Sequence, residues 1–223
     1  MAAALSDASR RVRPVELVIL LAFVWGEVAL WLLPAFPAPT DFLESAFSQA
    51  FFALVLLDVG FAGRSWRSLG LSSEGLLPSL TLGVLYCAIT IGLSLAAIQV
   101  GISEHGTIIG GGPSEALGVP LAFVLYLAFW GVFESVWMAY LIFTLNRWLT
   151  GTYSLTWHAL LLASLWFGIM HVFTQIVWAG DSLSQALPSL LVGVALLIPG
   201  TIPKITGNAW GLVLWFTVTN FGL

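Results

Sequence analysis

Residues 76–100 read LLPSLTLGVLYCAITIGLSLAAIQV, a run with no charged side chain. At about 1.5 Å per helical residue it is long enough to cross a bilayer core of about 30 Å. The rest of the chain agrees with it. Of 223 residues, 59% are hydrophobic and only 8% are charged, with a mean hydropathy of +1.00. That leaves too little polar surface to coat a soluble globule, so the sequence describes an integral membrane protein. The formal charge of -4, with no basic run and no Gly-rich phosphate loop, gives no sign of a nucleic-acid partner. Cys87 is the single cysteine; it forms no internal disulfide and is expected to pack as a small apolar residue.

Six more apolar stretches flank this run, at residues 15–33, 42–59, 120–143, 157–178, 183–198 and 209 to the C-terminus. The stretch at 183–198 is the weakest, since its helix would be only about 24 Å long. The basic residues arbitrate. Arg10, Arg11 and Arg13 precede the first stretch, Arg64 and Arg67 follow the second, Arg147 the fourth and Lys204 the sixth. With seven crossings and a cytoplasmic N-terminus, every one lies on the cytoplasmic side, as the positive-inside rule requires. Glu104, His105, Glu115 and Asp181 fall on the opposite side. The first stretch ends in LLPAFPAP, without a small-residue cleavage pattern, and is expected to remain as a span.

The expected fold is therefore all-α: a polytopic membrane helical bundle of about seven transmembrane helices, one domain over residues 1–223, in the cell's inner (cytoplasmic) membrane. Trp25, Trp31, Trp130, Trp148, Trp157, Trp178 and Trp210 sit toward stretch ends and read as interfacial belt residues. Pro188 and Pro199 are expected to bracket the sixth helix. Ala88, Gly92 and Ala96 recur every four residues, a small-residue stripe suited to close helix packing.

Three polar residues stand out inside three of these stretches: Glu134, His171 and Asn220. At 1.5 Å per residue Glu134 is about 21 Å into its helix, Asn220 about 20 Å and His171 roughly 24 Å, the last nearer the outer face. An intramembrane ionisable group costs several kcal/mol without a partner and marks a candidate site. Carboxylate, imidazole and carboxamide can satisfy one another in one cluster, whether as a reactive site or as helix–helix glue.

Phe167 and His171 form Phe-x-x-x-His on one helix face. With a Glu-bearing helix before it and an Asn-bearing helix after it, the order resembles the CAAX-prenyl protease and bacteriocin-processing family of intramembrane endopeptidases. The resemblance covers the chain from about Gly131 onward, so the protease-like core would be about 120–223. It implies metal-independent, glutamic-type peptide hydrolysis. Glu134 would polarise the attacking water together with His171, and Asn220 would help bind the oxyanion. The family's Glu-Glu-x-x-x-Arg and His-x-x-x-Asn motifs are incomplete here: Ser135, Ala139 and Phe216 stand in place of the second glutamate, the arginine and the histidine. Losing one oxyanion donor typically costs about 10² to 10³ in rate. The expectation is a peptidase of reduced activity or a catalytically degenerate scaffold.

On this reading no cofactor is expected, and no metal, because Glu134 and His171 supply only two of the three ligands a catalytic zinc needs. Partners are membrane lipids and a membrane-embedded or lipidated peptide substrate, or other integral membrane subunits. The alternative is a non-catalytic accessory subunit of a larger membrane complex, with His171 a candidate ligand to a haem or chlorophyll-type pigment; no absorbance beyond the indole band near about 280 nm would sink pigment binding. Glu27, about 20 Å into the first stretch, reads as a satisfied polar contact or a residue snorkelling near Trp31, and less readily as the missing carboxylate. Glu16, Glu44 and Asp58 lie at stretch ends, where water is expected to reach them, and His105 and His158 read as interfacial.

Overall fold

The computed structural model describes residues 12–32, 46–101, 118–178 and 180–219, and all regular structure among them is helical. In chain order the helices are α1 (Pro14–Leu20), α2 (Ala22–Leu32), α3 (Ala46–Gly60), α4 (Leu76–Gln99), α5 (Pro120–Thr150), α6 (Trp157–Trp178), α7 (Leu183–Thr206) and α8 (Trp210–Thr219). Four of them, α4 to α7, are long and apolar enough to cross a membrane, which fits a multi-pass membrane protein.

Seven helix ends meet at one end of the bundle. Arg13, before α1, pairs with Asp58 at the end of α3 at 2.7 Å, and Arg147, near the end of α5, pairs with Glu16 of α1. Asn208, between α7 and α8, donates to the carbonyl oxygen of Glu74, just before α4, at 2.8 Å. Lys204, near the end of α7, lies 5.9 Å from the ring of Trp157 at the start of α6. With α1 and α2 counted as one broken stretch, successive stretches thus run in alternating directions.

Glycines set the closest crossings. A Cβ on Gly193 of α7 would meet the Ser164 carbonyl oxygen of α6 at 2.1 Å, and one on Gly211 of α8 would meet the Ser79 carbonyl of α4 at 2.0 Å. In lipid no hydrophobic force pulls helices together, so backbone approach and van der Waals contact must do so. The α4 row that packs is Ser79, Gly83 and Cys87, all buried. The expected stripe of Ala88, Gly92 and Ala96 instead faces outward, and a Cβ on Gly92 would meet nothing within 4 Å.

The sixth predicted stretch is corrected too. Its helix runs on to Thr206, through Pro199 and Pro203, and no longer looks short. Proline breaks helices in water because the freed carbonyl and the ring clash go uncompensated; packed membrane helices absorb both.

The first stretch is broken at Leu21, between α1 and α2. Three indoles cover the carbonyls before the break: Trp25 Nε1 donates to Val18 at 2.9 Å, Trp137 to Ile19 at 2.7 Å and Trp166 to Leu20 at 3.1 Å. A buried carbonyl without a donor is costly, and here the donors come from α2, α5 and α6.

Candidate functional site

α5 widens into a π-helical segment over Leu127–Phe133, immediately before Glu134. Such segments disturb the regular ladder and recur at functional sites. The Gly131 carbonyl there accepts two side-chain hydroxyls, Ser135 from its own helix and Thr217 of α8 at 3.1 Å. Glu134 follows, only 5% exposed, on the stretch where α5 meets α8.

On α6, the Phe167 ring packs edge-on against Phe216 of α8, with centroids 5.7 Å apart. His171 stacks edge-on against Phe167 at 4.4 Å, and its Nδ1–H donates to the Phe167 carbonyl oxygen at 3.0 Å. That bond leaves Nε2 as the nitrogen with a lone pair. Glu134 and His171 lie on antiparallel helices, α5 and α6, that pack against each other. His171 nonetheless spends its Nδ1 hydrogen bond on its own helix. Asn220 lies outside the described residues.

The three positions that depart from the family pattern are part of the packing. Ser135 is fully buried and its hydroxyl is bonded to Gly131. Ala139 is fully buried in the central apolar cluster, and Phe216 is 6% exposed against Phe167.

Glu27 is 5% exposed and accepts a hydrogen bond from the Ser48 hydroxyl at 3.3 Å, so it is buried among helices rather than snorkelling. His158 is exposed at the start of α6, while Glu44 and His105 lie outside the described residues.

The largest correction concerns Glu16 and Asp58. Neither meets water: both have 0% exposure. Glu16 accepts from Arg13 Nε at 3.0 Å, Arg64 at 3.3 Å, Trp148 Nε1 at 3.1 Å and Arg147. Asp58 accepts from Arg13 and from the Tyr140 hydroxyl, each at 2.7 Å. Arg64 also donates to Thr144 at 2.7 Å and lies 4.3 Å from the centre of the Tyr140 ring. Burial pulls the Arg64 guanidinium below its ordinary value, while Tyr140, Glu16 and Asp58 pull the other way. Two buried acids and three arginines so tie α1, α3, the following loop and α5 into one network. Its trace in the sequence is the spacing of Tyr140, Thr144, Arg147 and Trp148, a single polar-tipped face at i, i+4, i+7 and i+8 on an otherwise apolar helix. Trp148, expected in an interfacial belt, is therefore a donor inside this network.

Among the described residues no three His, Cys, Asp or Glu side chains come together as a metal site. In comparisons with family models, with curated proteins and with solved structures, the chain matches none.

Proposed function

We propose that the chain is a catalytically degenerate relative of the CAAX-prenyl protease and bacteriocin-processing endopeptidases, kept as a scaffold that holds other membrane proteins. It crosses the inner membrane seven times with a cytoplasmic N-terminus. The alternating helix directions support the crossings, and the gathering of Arg13, Arg64, Arg147 and Lys204 at one end supports the orientation. The observation that carries the scaffold reading is what fills the altered motif positions. The Ser135 hydroxyl donates to Gly131, and Ala139 and Phe216 bring no polar group, so none of the three offers a free donor for an oxyanion.

A second reading, a slow metal-independent peptidase acting on membrane-embedded or lipidated peptides, is favoured by one observation: Glu134, 5% exposed, and His171 sit on antiparallel helices that pack against each other. The test compares wild type with Glu134→Ala and His171→Ala in cleavage of candidate membrane peptides and in melting temperature. The scaffold reading expects no cleavage by any of the three and lower melting temperatures in the variants. Cleavage by wild type that is lost at unchanged stability would establish the peptidase instead.

A further inference from the structure

We propose that the cavity between α2, α3 and α6 is a binding site for a compact monovalent cation, with the Glu27 carboxylate as its counter-charge. The cavity measures about 200 Å³ and presents Glu27, Ser48, Gln49 and Thr174 against a wall that includes Phe52 and Met170. Its hydrogen-bond inventory is lopsided. Glu27 brings two acceptor oxygens and receives one long bond, from Ser48 at 3.3 Å. The Gln49 Oε1 atom is buried with no donor. Among the described residues no arginine, lysine or histidine pairs with Glu27.

A carboxylate buried without a positive partner is among the most expensive arrangements a protein can hold, and an orphan carbonyl beside it adds to the cost. Both needs are met by one small positive charge. Carboxylate, amide and hydroxyl oxygens are the donors that hard cations select. At about 30 Å³ per water the cavity holds roughly six waters, room for a sodium-sized ion with residual water or for a primary ammonium group.

The local backbone suits such a site. A Cβ on Gly26 would meet the Ser48 carbonyl and hydroxyl oxygens at 2.7 Å, so α2 and α3 approach at backbone distance beside Glu27. Immediately after Gln49, α3 tightens to a 3₁₀ turn over Ala50–Ala53. A stretch of 3₁₀ inside an α-helix often marks a functional hinge or a sequence under strain.

The experiment measures thermal unfolding of the full chain in detergent at constant ionic strength, in sodium chloride, methylammonium chloride or the chloride of the bulky N-methylglucamine. The expected result is a saturable rise of several degrees in sodium or methylammonium over N-methylglucamine, as ligand linkage to the folded state requires. That rise is absent in Glu27→Gln and in Gln49→Leu. A rise in sodium alone assigns a metal ion, and one in methylammonium alone assigns an amine. Equal melting temperatures in all three salts, or the same rise in both variants, overturns the proposal. Should Glu27→Gln not fold, Gln49→Leu and equilibrium binding of radioactive sodium, competed by methylammonium, decide it: binding neither ion also overturns the site.

Discussion

Glu16 and Glu27 stand about three helical turns apart on the N-terminal stretch, and both are shut away from solvent. Their surroundings are opposite. Glu16 is surrounded by the guanidinium groups of Arg13, Arg64 and Arg147 and by the Trp148 indole; Glu27 has one hydroxyl. The difference teaches that burial of a carboxylate has two separate meanings in this chain. At the end of the bundle it ties helices together, because Glu16 and Asp58 are each paired with arginines from other segments. In the middle of the bundle it leaves a carboxyl group that receives one hydroxyl and no cation among the described residues.

Breaking the paired end produces the largest effect. Glu16→Ala strands buried arginines and is expected to cost about 3–5 kcal/mol, read from denaturant unfolding in detergent. Between the two acids lies the break at Leu21. There Trp137→Phe removes the donor to the Ile19 carbonyl and is expected to cost about 1–3 kcal/mol, with faster amide exchange around residues 19–25 as a second readout. Glu27→Gln, in N-methylglucamine alone, is expected to shift stability by less than about 1 kcal/mol in either direction. The amide keeps the Ser48 bond and removes a charge with no internal partner. An effect as large as that of Glu16→Ala would erase the contrast. The control is Arg67, whose ion pair with Glu74 is exposed, 76% and 75% by side chain. Arg67→Ala is expected to cost at most about 0.5 kcal/mol, since solvent screens the pair.

Much of the helical layout is legible in the sequence because membrane burial is written locally: α4, α5 and α6 follow from the length of their apolar runs. The far end of α7 is not, because Pro199 and Pro203 obey rules learned in water, where nothing repairs a proline-broken ladder. That Glu134 lies within a long apolar helix also reads directly from its position. Glu16 and Asp58 misread because a place at a segment end suggests water, whereas their burial depends on arginines from three separate segments. Only the Tyr140–Thr144–Arg147–Trp148 face hinted at that convergence, and a face says what one helix offers, not what meets it. The tryptophans misread for a related reason. An indole near a segment end suits a headgroup belt, yet Trp148 serves a carboxylate, and Trp137, deep in α5, serves the carbonyl of another helix.

The three indoles at the Leu21 break also fix an order of assembly. On the proposed seven-crossing topology, Trp137 and Trp166 have not yet been synthesised when the first hydrophobic stretch enters the bilayer, and hydrocarbon offers nothing to the carbonyls of Ile19 and Leu20. The nascent segment must therefore insert as one continuous helix that satisfies its own backbone. It acquires its break only after the fourth and fifth hydrophobic stretches arrive. A chain truncated before residue 130 is accordingly expected to show an uninterrupted, uniformly protected amide ladder through Leu21, and the full chain an interruption there.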